Sequence, residues 1–347
     1  MNIALKTNSY LRFPLVVLSL LGSFSLFAQD IHFTQFYNAP LTLSPALTGV
    51  SNGDIRIMGL YRSQWNAANA PYKTFQAGAD KKFYNPQRES WWMSGGLNVF
   101  NDRTGDGNFS TTHIAVSGAY TKMLDKENFL TIGLSAAVAQ RRFEFGNFTF
   151  DNQWNGEIFD PNRAVNETFD DPSIFYPDFG IGFNWRGQQE KKRSKIDLGA
   201  GAFHFNRPNQ NFKKGDPSPL PVRLSMYAMP TVQITSVGDV VSYATAQIQE
   251  GYFEALAGAA YRHHLSTKKS KEVAVQLGFG YRFNAIGDAL TPAAEVHFHD
   301  IMVGFSWDVN VSGFSVATNR NGGPEITMRY IIHKVYPLKA FKACPLI

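Results

Sequence analysis

Cysteine is almost missing from this chain: Cys344 is the only one in 347 residues. No intramolecular disulfide can form, so the fold must be held by packing and hydrogen bonds. Long apolar runs are missing too. The one conspicuous stretch, Phe13 to Phe27, follows Lys6 and Arg12 and falls short of the roughly 20 residues that a spanning helix requires. It reads as the apolar part of a secretory leader, with residues 1–28 removed after Ala28. Gln29 follows that site, which excludes a lipidated cysteine there. Charge of one sign is also scarce. The formal net charge of +5 drops to +3 without Lys6 and Arg12, too little to argue for a nucleic-acid partner. There is no phosphate-binding Walker loop and no dinucleotide fingerprint, so no cofactor is expected.

What the chain does contain is alternation. From Asp54 onward, stretches of about 9 to 11 residues place an apolar side chain at every second position, the period of a strand with one apolar face. In "VAVQLGFGYRF", Val273, Val275, Leu277, Phe279, Tyr281 and Phe283 share one face, and Ala274, Gln276, Gly278, Gly280 and Arg282 share the other. The second face is small or polar throughout. A soluble sandwich turns its large residues to a core, whereas this economy suits a transmembrane barrel with lipid outside and water inside.

About fourteen such stretches are counted, near 54–62, 72–82, 91–101, 109–122, 128–142, 176–186, 195–206, 220–230, 240–249, 252–262, 272–283, 289–299, 301–311 and 324–333. The predicted fold is therefore all-β, an outer-membrane barrel of about 14 antiparallel strands over 54–333. A periplasmic N-terminal segment, 29–53, precedes it and a periplasmic tail, 334–347, follows. With both termini in the periplasm, the three longest links, 143–175, 207–219 and 312–323, all lie outside, as such barrels require. Trp91–Trp92, Tyr120, Trp185, Tyr261 and Trp307 sit near strand ends, where interfacial girdles form. The break at Glu250–Gly251 reads as either a tight turn or a bulge.

The stretch "FTQFYNAPLTLSPALTG" before the first strand, with "YRSQW" after it, resembles the start of the PorP/SprF family of type IX secretion system outer-membrane proteins. "GAFHFNRPNQNF" (201–212), "LGFGYRFNAIGDALTP" (277–292) and "FSWDVNVSGFS" continuing to "NRNGGPEITMRY" (305–330) resemble it as well, as does the terminal "ACPLI". The resemblance implies location in the cell outer membrane and a non-enzymatic role in exporting or displaying surface proteins such as gliding adhesins. It also implies contacts with secreted cargo and with other periplasmic and outer-membrane components of the machine. The alternative is a small-solute porin or transporter.

Residues 29–49 carry Phe33, Phe36, Tyr37, Leu41, Leu43 and Leu47, too apolar to remain in water. They are expected either to pack into the barrel or to dock at its periplasmic mouth against a partner through Phe36, Tyr37 and Leu43. Lumen-facing charges recur in the last strands and the first: Arg282, Glu295, Asp308, Glu325 and Arg329, with Arg56 and Arg62. Their mixed signs point to a network that stiffens the wall rather than to a selectivity ring. Link 143–175 combines acids with many aromatics. Trp154 and Phe159 are its candidate partner anchors, with an inward plug as the other reading.

Four further groups have simpler readings. His297 and His299 form an H-x-H near Glu295, without the three or four converging ligands that a metal needs. His263–His264 read as an interfacial turn. Asp102 and Asp106 in "NDRTGDGN" lack the spacing and distal Glu of a calcium loop. His113 with Ser117, or His204 with its neighbouring serines, offers no nucleophile elbow, so no catalysis is expected.

Overall fold

The computed structural model describes residues 30–333 apart from 66–70, 85–89, 106, 145–148, 164–171, 213–214, 216, 269–270, 285–288, 313–314 and 316–317. The predicted leader, 1–28, and the predicted tail, 334–347, lie outside the described residues. Fourteen strands follow one another: β1 (Ile55–Gln64), β2 (Tyr72–Phe83), β3 (Trp91–Thr104), β4 (Phe109–Met123), β5 (Asn128–Arg142), β6 (Ser173–Gln188) and β7 (Lys195–Phe203). The second half comprises β8 (Arg223–Gln233), β9 (Gly238–Gln249), β10 (Tyr252–Ser266), β11 (Val273–Asn284), β12 (Ala289–Phe298), β13 (Ile301–Asn310) and β14 (Asn321–Ile332).

Each strand pairs antiparallel with its sequence neighbours, and β14 returns to β1 with Arg62 opposite Glu325, closing the barrel. Closure satisfies the backbone without a free edge. The two faces separate as the alternation requires. In β11, Leu277 and Phe279 are 63% and 66% exposed, while Gln276 is 2% exposed. Phe75, Ile132, Leu134, Phe305 and Met328 continue the exposed apolar band around the wall. An apolar outer surface of this extent is stable against acyl chains and not against water.

The long links 143–172, 204–222 and 311–320 share one end, and the opposite end has shorter connections such as 124–127 and 299–300. Glu250 and Gly251, with φ of 41° and 84°, make the break between β9 and β10 a tight two-residue hairpin turn rather than a bulge. The girdle is thinner than the sequence suggests. Trp91 lies beside Tyr120, with ring centroids 5.7 Å apart, but Trp92 turns to the other face and meets Phe129 at 5.8 Å. The pair His263–His264 lies within β10, not in a turn: His263 is exposed, and buried His264 reaches Asp239 at 2.7 Å.

The barrel is filled. Residues 31–53 run through its lumen as three single-turn helices, Phe36–Asn38, Pro40–Leu43 and Pro45–Leu47. Pro40 and Pro45 each open a turn, where a missing N–H costs nothing, and Ser44 caps the third turn by accepting from the Ala46 amide. Turns this short have no room for a helical period, which is why the segment alternates like neither a strand nor a helix. Phe36, Leu43 and Leu47 pack against Tyr227, Tyr243 and Leu256 of the wall, and Phe33 and Ala39 against Leu60. Burying each large side chain contributes about 1.5–3 kcal/mol.

The small inward residues thus have a different cause from the expected water. Gly133, Gly182 and Gly201 are successive cross-strand partners on β5, β6 and β7. A Cβ added at Gly133 would lie 2.4 Å from the Pro45 carbonyl. At Gly182 it would lie 2.2 Å from Ser44 Oγ, and at Gly201 2.6 Å from the Leu43 carbonyl oxygen. The wall is pared down there so that the segment's backbone can touch it. Gly133→Val is therefore expected to weaken seating by about 1–3 kcal/mol while leaving the barrel closed. The check is the maleimide labelling rate of Ala39→Cys, in a Cys344→Ser background, with and without Gly133→Val. An unchanged rate would show that the contact is dispensable.

Candidate functional site

The lumenal segment is clamped at three levels. Near the long-link end, Arg62 lies 2.8 Å from Asp308 and 3.8 Å from Glu325, and Arg282 lies 2.8 Å from Asp308. The segment completes this group. The backbone N–H groups of Thr34 and Gln35 donate to the two oxygens of Glu325 at 2.9 and 2.6 Å, and Thr34 Oγ1 donates to Asp308 at 2.7 Å. Arg62 also donates to the His32 carbonyl, Arg282 donates to Thr34 Oγ1, and His32 lies 3.5 Å from Glu254. Two successive amides on one carboxylate form a charge-assisted cradle whose geometry only this backbone supplies. From the neighbouring wall, Arg223 donates to the carbonyls of Ile31 and Thr42 at 3.3 and 2.9 Å.

At mid-height Asn38 is the hub. Its amide nitrogen donates to Glu295 at 3.1 Å and to Thr327 at 3.3 Å, and its oxygen accepts from Arg329 at 3.3 Å. His297 reaches the other oxygen of Glu295 at 3.0 Å. Tyr37 packs against Tyr243, with centroids 4.8 Å apart. Burial, and the negative charge of Glu295 beside it, raise the Tyr37 hydroxyl well above its usual titration range, so it stays protonated. Near the short-link end, Arg56 pairs with Asp80 and donates to the carbonyls of Leu47 at 2.9 Å and Val50 at 3.3 Å, while the Gly49 amide donates to Asp80 at 3.1 Å.

The seven predicted charges are therefore not one wall network. Arg62, Arg282, Asp308 and Glu325 meet at one level, Glu295 and Arg329 meet through Asn38, and Arg56 stands apart with Asp80. Each group grips the lumenal segment as well as its neighbouring strands. Phe36 and Leu43, each 2% exposed, lie inside the barrel packed against its wall, the first of the two placements expected for this segment. Tyr37, half-buried, packs against the same cluster. Glu254, Arg223 and Asp80 went unread from the sequence, although the strand alternation already turns each of them inward.

Trp154 and Phe159 come together as an isolated antiparallel bridge in link 143–172, 54% and 42% exposed, with Ile158 between them 63% exposed. The Asn155 side chain accepts the amides of Glu157 and Ile158, both at 2.8 Å, and so fixes the tip. Residues 149–163 thus leave these apolar side chains exposed, while the lumen is occupied by 31–53. The link that does tuck in is 204–222, whose Leu220 packs on Ala139 and Tyr176. His299, in the turn after β12 with φ of 55°, is exposed and stacked on Phe298, so it does not share a face with His297. Among the described residues, no group of three or more His, Cys, Asp and Glu side chains is placed to hold a metal ion. His113 hydrogen-bonds to one oxygen of Asp178 at 3.0 Å, and His204 lies 2.9 Å from the other.

Solved structures similar in fold include the toluene transporter TbuX of Ralstonia pickettii (TM-score 0.48, 9% identity, 85% of this chain and 94% of that one). The CymD monoaromatic hydrocarbon channel is similar at TM-score 0.49, with 9% identity over 89% of this chain and 96% of that one. BamA of Haemophilus ducreyi lacking POTRA domains 1–3 gives TM-score 0.43, with 8% identity over 80% and 70%. No curated protein matches the chain. The family model described as type IX secretion system membrane protein PorP/SprF matches residues 25–330, from just before the lumenal segment into the last strand. A closed barrel with an apolar outer face and its own N-terminal segment in the lumen is thus the form taken here by a member of the PorP/SprF family of type IX secretion system outer-membrane proteins.

Proposed function

We propose that this barrel assists type IX secretion by binding exported proteins, such as gliding adhesins, at the cell surface rather than by conducting them or by chemistry. The observation that carries this reading is the filled lumen: residues 31–53 occupy the space through which cargo or solutes would pass. A fourteen-stranded barrel is in any case narrower than the porins that hold an open aqueous channel. Translocation then belongs to another component, and this one anchors or receives the product. The long links face outward and supply the contact, with the Trp154–Phe159 hairpin as its aromatic anchor. Rigid aromatic side chains held on a fixed scaffold lose little entropy on binding.

Replacing Trp154 and Phe159 together by alanine is expected to reduce surface display of the cargo about tenfold or more, at unchanged abundance and gel mobility of the folded barrel. Display on whole cells and conductance in planar bilayers are measured on the same variant. Unchanged display would remove the hairpin from the contact. Raised conductance with normal display would instead make it a lid.

A further inference from the structure

The lumen at the short-link end, beside residues 47–53 of the seated segment, carries more cations than carboxylates. On the inward face, Lys82 stands near the end of β2, Arg186 near the end of β6, Lys195 at the start of β7, Arg262 in the last third of β10 and Arg329 near the end of β14. All of these positions lie toward the short-link end, where Arg56 also points inward. The facing carboxylates are fewer. Asp197 is held in a two-point pair by Arg186 at 2.8 and 2.7 Å, Asp80 is occupied by Arg56 and the Gly49 amide, and Glu295 by His297 and Asn38. Asp239, cross-strand from Arg262, is held by Arg193 and His264, and Asp54 faces Lys82; with Arg193 counted, seven cations against five carboxylates leave a local excess of +2.

The remaining cations hydrogen-bond only to neutral groups, while Asp239 stands cross-strand from Arg262 and Glu295 lies near Arg329. Arg262 donates to the side-chain oxygen of Gln276 at 3.0 and 2.7 Å, Arg329 to that of Asn38, and Lys82 to the Ser51 carbonyl. Among the described residues, Lys195, Arg262, Arg329 and Lys82 form no ion pair with a carboxylate. All four side chains are half-buried, whereas Arg62 and Arg282 of the upper group are almost fully enclosed and paired. Concentrating one sign of charge in a recess with low-dielectric walls focuses its field toward the opening.

We infer that the short-link mouth is a docking vestibule for an acidic peptide segment of a partner protein. The cations are spread over β2, β6–β7, β10 and β14, around much of the circumference, so one small anion reaches only one or two of them. Several carboxylates along an extended chain reach them together. Bilayer headgroups lie outside the wall and do not enter. The site is on the opposite end from the Trp154–Phe159 hairpin and does not depend on the cargo reading.

The test uses the full folded chain in neutral detergent and a fluorescein-labelled octaglutamate peptide, followed by anisotropy. Binding is expected, and it should weaken as salt rises. Lys195→Gln with Arg262→Gln should lower affinity about tenfold, because two direct charge contacts are lost. Lys191→Gln with Lys192→Gln, on the neighbouring exposed turn, removes the same charge outside the recess and should change affinity less than about twofold. Heat-modifiable gel mobility verifies that each variant is folded. Absence of binding to the folded wild type, or equal loss in both double variants, would overturn the vestibule. Displacement by inorganic phosphate at matched charge concentration would overturn the peptide specificity.

Discussion

Deleting residues 31–50 is expected to convert a nearly silent barrel into a conducting one, raising single-channel conductance at least about tenfold, because a barrel of this strand number is otherwise filled only by side chains and links. The wall itself should survive. Its fourteen ladders are continuous and the closing pair β1–β14 does not involve the segment, so insertion and heat-modifiable mobility are expected to persist. The deletion exposes Arg62, Asp308 and Glu325 to incoming water, which rehydrates charges that the segment had enclosed. Two results would contradict this account. Steady conductance by the intact chain would favour the small-solute porin, and a folded but silent deletion variant would show that other elements close the lumen.

The same experiment separates two roles for the segment. If secretion falls while the deleted barrel remains inserted, seating matters for the machine. If export is normal, the segment serves only to close the pore.

Much of the fold was legible in the sequence because a lipid-facing barrel leaves a strong trace. Every outward residue must be apolar and every inward one must tolerate enclosure, so period two persists through each strand. The predicted stretches 128–142, 289–299 and 301–311 coincide with β5, β12 and β13 to within a residue at either end. The lumen was less legible. Gly133, Gly182 and Gly201 look like residues of a watery channel until Leu43, Ser44 and Pro45 are seen against them. Small size alone does not reveal whether water or backbone fills the space. Nor did inward charges disclose their grouping, since Arg56 and Arg62 are six residues apart on one face of β1 and yet serve opposite ends of the segment. Which level an inward residue meets depends on strand tilt and on where the segment turns, and neither is written in local periodicity.

Asp308→Ala should have the largest effect of any single substitution on stability, about 3–5 kcal/mol, the range for breaking a buried ion pair by removing one partner. Asp308 receives Arg62, Arg282 and Thr34, and without it two enclosed guanidiniums face each other with Glu325, 3.8 Å from Arg62, and Glu254 as the remaining acids of that level. Urea-induced loss of the compact gel form gives the stability change. The Ala39→Cys labelling rate, in the Cys344→Ser background, tells whether the segment leaves first. Arg62→Met combined with Asp308→Leu should recover part of the loss, since Asp308 is then missed by one enclosed guanidinium, Arg282, instead of two. Arg56→Met acts at the other end and should add to Asp308→Ala without coupling, because the two sites share no partner. If Asp308→Ala costs less than about 1 kcal/mol, the level is already hydrated and the segment is held by its apolar contacts with Tyr227, Tyr243 and Leu256 instead.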